Sequence, residues 1–145
     1  MFLYRSLILM AMATLAFSAD PFLGSWKTDV EKSKLSPERV ERHKGEVFTV
    51  ESAGENTYHV KLHRPDRKDV ILDKIWIVDG KEHEEQHRGR ALTMKVERIS
   101  ERSLRTTSKS GELTTVFNWA ITPDGKTLTS TPQSKPDQAI VYSKQ

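Results

Sequence analysis

The chain has 145 residues, with 23 Lys and Arg against 20 Asp and Glu, a net charge of +3, and no cysteine. That length suits one domain with a real core rather than two, and a mixed charge without a basic block argues against a nucleic-acid partner. The absence of cysteine excludes disulfides, thiol chemistry and a lipid-modified N-terminal cysteine.

The first segment, "MFLYRSLILMAMATLAFSAD", has Arg5 ahead of an apolar run from Leu7 to Phe17 broken only by Thr14. This pattern predicts a secretory signal peptide at 1–19, cleaved near Ser18 or Ala19, and hence a secreted or periplasmic protein. An uncleaved anchor is the alternative. The run is too short for a bilayer, which needs about 20 apolar residues, and no later segment approaches that, so no transmembrane span is expected. Cleavage after Ala19 leaves a single domain over 20–145.

Most of that domain reads as short alternating strands separated by turns. The strand-like stretches, in order, are "FLGSWKTD", "EVFTVES", "TYHVKLH", "VILDKIWIV", "ALTMKVERI", "SLRTTSK", "ELTTVFNWAIT", "KTLTST" and "QAIVYSK". After the first strand, "SPERVERHK" carries the one helix signal, with Ser36 as cap and Pro37 at the first helical position. Its few apolar residues place it on the surface. In "DVILDKIWIVDG" apolar residues fall on both faces, so a bulge near Asp73-Lys74 is expected to bring most of them inside. The alternative is an exposed apolar strand face used by a partner. About nine strands and short turns predict an all-β, antiparallel up-and-down barrel, whose closure would remove exposed strand edges.

Particular residues carry a family resemblance. "DPFLGSWKTD", through Phe22, Gly24, Trp26 and Lys27, resembles the first strand of the calycin superfamily, the lipocalins and fatty-acid-binding proteins, and "IVYSKQ" is similar to the closing strand of the latter. The segments "DPFLGSWKTDVEKSKLSPE", "DGKEH", "DGKTLT" and "VYSKQ" also resemble a group of short, uncharacterised secreted bacterial lipocalin-like proteins. The resemblance implies a calycin-like barrel. It also implies an Arg-x-Tyr carboxylate anchor on the last strand, but here Ile140 stands in the arginine's place before Tyr142. The segment from Glu31 to Lys44 is likewise too short for a helix-turn-helix lid. Gly24 has a mechanical reading, a close pass of the chain, and Trp26 that of a plug at one end.

"KEHEEQHRGR" contains His83-Glu84-Glu85-Gln86-His87, which fits the H-E-x-x-H pattern of zinc proteases. Such a zinc site needs a helix, which puts both imidazoles on one face. The stretch between Gly80 and Gly89 has no apolar residue to anchor a helix, so it reads as a polar strand or rim. On a strand, His83, Glu85 and His87 share a face and remain weak candidates for loose metal binding. A zinc-dependent hydrolase is the remote alternative; no catalytic residue and no cofactor is assigned.

The favoured expectation is a non-catalytic binding protein holding a small apolar or amphipathic ligand inside the barrel. Tyr58, Trp76, Met94, Phe117, Trp119 and Tyr142 are its candidate lining residues. The alternative is a protein-interaction module, an inhibitor or envelope scaffold, with a packed core.

Overall fold

A computed structural model of the chain describes residues 19–66, 69–87 and 89–145. The expected signal peptide falls on 1–19, so all of it but Ala19 lies outside the described residues. Ten strands form one sheet: β1 (Gly24–Thr28), β2 (Val47–Ser52), β3 (Thr57–Arg64), β4 (Asp69–Ile77), β5 (Glu82–His87), β6 (Arg90–Ser100), β7 (Ser103–Ser110), β8 (Leu113–Ile121), β9 (Thr127–Pro132) and β10 (Ile140–Lys144). The tenth strand, beyond the nine counted in the sequence, is β5. Its wholly polar "EHEEQH" shows no apolar alternation to count, yet it pairs with β6 from Glu82↔Lys95 to His87↔Arg90.

The strand order is β4-β3-β2-β1-β10-β9-β8-β7-β6-β5, antiparallel throughout, so every pairing joins sequence neighbours except that of β1 with β10. That pairing turns a meander into an up-and-down barrel. The closure is incomplete, because β4 and β5 face each other across a slot and no β4–β5 pairing occurs among the described residues. The expectation that closure removes every edge therefore fails at these two strands. Across the slot Lys74 and Glu85 form an ion pair of 3.2 Å.

Helix α1 (Pro37–His43) connects β1 to β2, with the Ser36 hydroxyl accepting from the Arg39 N–H at 3.4 Å and no buried residue. It lies at the end of the barrel shared by the β3–β4, β5–β6 and β7–β8 turns and the β9–β10 loop. We call this the helix end. The opposite end is sealed by Phe22, Trp26, Val50, Val60, Val96, Leu104, Ile121 and Leu128, all at most 5 % exposed. The Trp26 indole N–H donates to the Phe22 carbonyl at 3.0 Å. Gly24 has φ of +131°, and a Cβ there would come within 3.2 Å of Lys144 Cε, so the glycine serves both the turn of the chain and a close pass.

The two-faced run resolves differently from the expectation. The bulge lies at Ile71, between the pairs His63↔Val70 and Leu62↔Leu72, and not at Asp73-Lys74. Alternation is then unbroken from Leu72, which sends Trp76 and Val78 into the core and leaves Val70, Ile75 and Ile77 outside, 62 %, 47 % and 37 % exposed. A bulge upstream of the phase conflict cannot repair it, so the apolar outer face stands.

Burial separates the aromatic plug from the rim. Trp26→Ala is expected to lower the unfolding free energy by about 3–5 kcal/mol, whereas Leu113→Ala, at a site 69 % exposed, should change it by less than about 0.5 kcal/mol. Urea unfolding followed by circular dichroism checks both.

Candidate functional site

Above the sealed floor, inward-facing side chains meet across the barrel. Phe48 from β2 stacks on Trp119 from β8, with ring centroids 5.2 Å apart and planes at 18°. Trp76 from β4 meets Trp119 edge-on at 5.3 Å, Phe48 lies 5.9 Å from both Trp76 and Tyr142, and Phe117 lies 6.2 Å from Trp119. Four separated strands thus deliver rings to one place, which only a curled sheet allows. Towards the helix end the inward positions Leu62, Leu72, Met94, Phe117, Trp119 and Ile140 are only half-buried although they pack on or beside the core. We call this partly exposed inner surface, with the ring cluster beneath it, the cup.

The slot borders the same inner wall at Met94. It forms a cleft of about 320 Å³ whose outer lip includes Ile75 and Ile77 and whose inner lining includes Met94 and Val96. Of the six lining residues expected from sequence, Trp76, Phe117, Trp119 and Tyr142 join one ring cluster and Met94 packs on the core nearby. Tyr58 stands apart at the sealed end, 6.3 Å from Phe22, with its hydroxyl bonded to Asp20 and Arg98. Sequence reasoning missed Phe48, the ring that three others share. Its alternation with Val50 was visible, but its central position depends on β2 lying across from β8.

Among the described residues, charged side chains inside the barrel lie beside groups of opposite charge. At the helix end Glu46, 2 % exposed, takes His43 Nδ1 at 3.0 Å and an Arg64 guanidinium nitrogen at 3.1 Å, and that same nitrogen donates to the Arg42 carbonyl at 2.7 Å. Burial opposes the charge on Glu46, but the hydrogen bonds and positive charge of His43 and Arg64 outweigh it and hold the carboxyl below its ordinary value. At the floor, burial and then the bond to Asp20 push the Tyr58 phenol up to about 12, against the opposing effect of Arg98. Burial likewise raises Tyr142, with the Glu46 charge adding to it. Two of the three tryptophans are satisfied: Trp26 by Phe22 and Trp119 by the Thr106 hydroxyl at 3.0 Å. The Trp76 indole N–H, the Arg64 Nε and the Thr28 hydroxyl are buried without a hydrogen-bond partner among the described residues.

No protein-family profile and no curated protein sequence matches the chain. Solved structures do. Secretory abundant heat soluble protein 4 from Ramazzottius varieornatus superposes with a TM-score of 0.60 at 20% identity, over 89% of this chain and 98% of that one. Echinococcus granulosus fatty-acid-binding protein 1 gives 0.60 at 16%, over 86% and 97%. A Schistosoma mansoni fatty acid binding protein, solved in complex with arachidonic acid, gives 0.58 at 23%, over 86% and 96%. The fold is a fatty-acid-binding-protein-like calycin barrel.

Within that barrel this chain has its own fittings. Its one seven-residue helix has no buried residue. Ile140, at the position where the family resemblance implies an arginine, is a half-buried apolar wall residue beside the core. An inward arginine is instead found on β3, as Arg64, already held by Glu46.

The H-E-x-x-H segment is strand β5, so the His83 and His87 backbones lie about 13 Å apart rather than one helical turn. His83 bonds Asp79 at 2.9 Å, and Glu85 is held by Lys74. The His87 side chain lies outside the described residues. Among the described residues no three His, Cys, Asp or Glu side chains gather in a metal-binding group.

The Glu46 set predicts an acid-sensitive barrel. Its folded pKa lies below the ordinary 4.5, so its stabilisation is complete above that value and is lost as pH falls through the folded pKa. Glu46→Ala should cost about 3–5 kcal/mol at pH 7 by leaving Arg64 buried and unpaired. Glu46→Gln should cost less and should flatten the fall in stability between pH 5 and pH 3, as read from urea midpoints across that range.

Proposed function

We propose that the protein is a non-catalytic binding protein that takes a small apolar or amphipathic ligand into the cup. One observation carries this reading: above a floor sealed to within 5 % exposure, inward aliphatic and aromatic side chains remain partly exposed inside the barrel. Soluble proteins seldom leave a concave apolar surface wet unless something occupies it. Trp76, Met94, Phe117, Trp119 and Tyr142 make the contacts, Phe48 completes the ring floor, and Tyr58 braces the closed end beneath. The similar Schistosoma barrel that was solved with arachidonic acid supports the reading by its architecture.

Native mass spectrometry of protein purified from its own host is expected to show a small-molecule adduct. A fluorescent apolar probe should bind one per chain, and Phe117→Ala and Met94→Ala should each weaken it about tenfold, equal to about 1.4 kcal/mol. Ile99→Ala, at a site 51 % exposed on β6, should not. An adduct-free protein that fails to bind the probe would refute the proposal.

The export signature at 1–19 supports a secreted or periplasmic location for this binding protein. Edman sequencing of the protein from its host should begin at Ala19 or Asp20; a start at Met1 in a membrane fraction would mean an anchor instead.

A second reading has its own observation. Val70, Ile75 and Ile77 lie exposed along β4, an edge strand, which suits a protein-interaction module. Loss of a co-purifying partner in Ile75→Lys, with probe binding intact, would favour it.

A further inference from the structure

Strands β4 and β5 end the sheet and face each other across the slot without pairing among the described residues. Each therefore turns backbone N–H and C=O groups towards a cleft of about 320 Å³. The ion pair of Lys74 with Glu85 crosses this cleft on the inward side of both strands. On the outward side the two lips differ. The β4 lip carries Ile75 and Ile77, both exposed, beside Asp73, whereas the β5 lip carries Glu84 and Gln86, also exposed. Native proteins usually protect an unpaired edge with charge or a bulge, and the bulge of β4 lies at Ile71, upstream of both isoleucines.

The cleft also differs in charge from the molecule as a whole. Among its described lining residues the carboxylates of Asp73, Glu84 and Glu85 stand against the one ammonium of Lys74, a net of −2 with His83 neutral, in a chain whose net charge is +3. A two-fold contact between slots of two copies would set like charge against like, so a second copy of this chain is a poor occupant. A strand laid in the slot points alternate side chains outward and inward. The outward ones lie between Ile75, Ile77 and Glu84, a setting that suits lysine or arginine, whose aliphatic stem covers apolar surface while the charged head reaches a carboxylate. The inward ones face Met94 and Val96, which suit apolar side chains.

We propose that the slot docks an extended segment of another protein, alternating basic and apolar residues, which adds to the edge of β4 as a further strand. The proposal rests on the interaction-module reading above, to which it adds the partner's chemistry and mode of binding, and it does not depend on what fills the cup. Backbone hydrogen bonds along residues 73–77 hold the segment, Ile75 and Ile77 cover its basic stems, and Glu84 selects the sign of its charge.

The test titrates the protein into a short fluorescent peptide that alternates lysine and valine, beside two controls of the same length: one alternating glutamate and valine, and the lysine peptide with its backbone amides N-methylated. The lysine peptide is expected to bind one per chain, at least about tenfold more tightly than either control, and to slow amide hydrogen exchange along β4. Glu84→Lys and Ile75→Lys change exposed side chains; both variants should keep the wild-type circular dichroism spectrum, and each should weaken the lysine peptide about tenfold. Equal binding of the lysine and glutamate peptides would overturn the charge selection, and equal binding of the N-methylated peptide would overturn strand addition. If the lysine peptide fails to bind while Ile75→Lys still sheds a co-purifying partner, this inference is wrong and the interaction-module reading stands. If neither happens, both are wrong.

Discussion

The pairing of β1 with β10 is the constraint on which everything else hangs. Every other strand pairs with a sequence neighbour through a turn or short connection, and such a meander could remain an open, twisted ribbon. Joining Trp26 to Lys144 and Thr28 to Tyr142 brings together strands more than a hundred residues apart, at a loop-closure cost that local contacts cannot repay. A clasp outside the regular ladder helps. The Asp29 N–H donates to the Val141 carbonyl at 2.7 Å, Val141 N–H donates to the buried Ser33 hydroxyl at 2.8 Å, and the Ser143 hydroxyl donates to Asp29 at 3.2 Å. The Lys144 ammonium lies 5.2 Å over the Trp26 ring. The short segment after β1 is therefore a fastener for the last strand as well as a lead-in to the helix.

Closing the sheet in this way grades the interior. At the sealed end, Trp26 and Leu128 are fully buried, with Val60, Val96 and Leu104 at most 1 % exposed. Packing of that density leaves no room for a ligand there. Farther towards the helix end, the slot between β4 and β5 interrupts the wall, and the inward side chains meet solvent as well as one another. The wall itself is uneven: the seam is hydrogen-bonded, whereas the slot is crossed by the Lys74–Glu85 ion pair.

Alternation along β2, β3, β6 and β8 showed which residues face inward, because in a half-buried strand the apolar face must follow the period of two. The Ser36-Pro37 start of α1 was equally legible, since capping chemistry is local. Strand β5 escaped the strand count because an edge that borders a slot has no need of an apolar alternation. The bulge at Ile71 escaped because its position is set by which β3 residue each β4 residue meets, and the apolar letters of "DVILDKIWIVDG" are compatible with either site. Of the cup, Trp76, Phe117, Trp119 and Tyr142 were readable as inward aromatics. Their convergence on Phe48 was not.

The sequence by itself determined the strand alternation, the single capped helix, the aromatic plug at Trp26 and the absence of an arginine two residues before Tyr142. These are properties of neighbours along the chain, where period, capping and residue identity act over a few bonds. Only the tertiary structure decided that Arg64 belongs to Glu46 and Lys74 to Glu85, that the Trp76 N–H has no partner among the described residues, and that "KEHEEQHRGR" contributes a carboxylate to the slot through Glu85. Each of these depends on side chains from strands that meet only when the sheet curls, and no local rule ranks one such meeting above another.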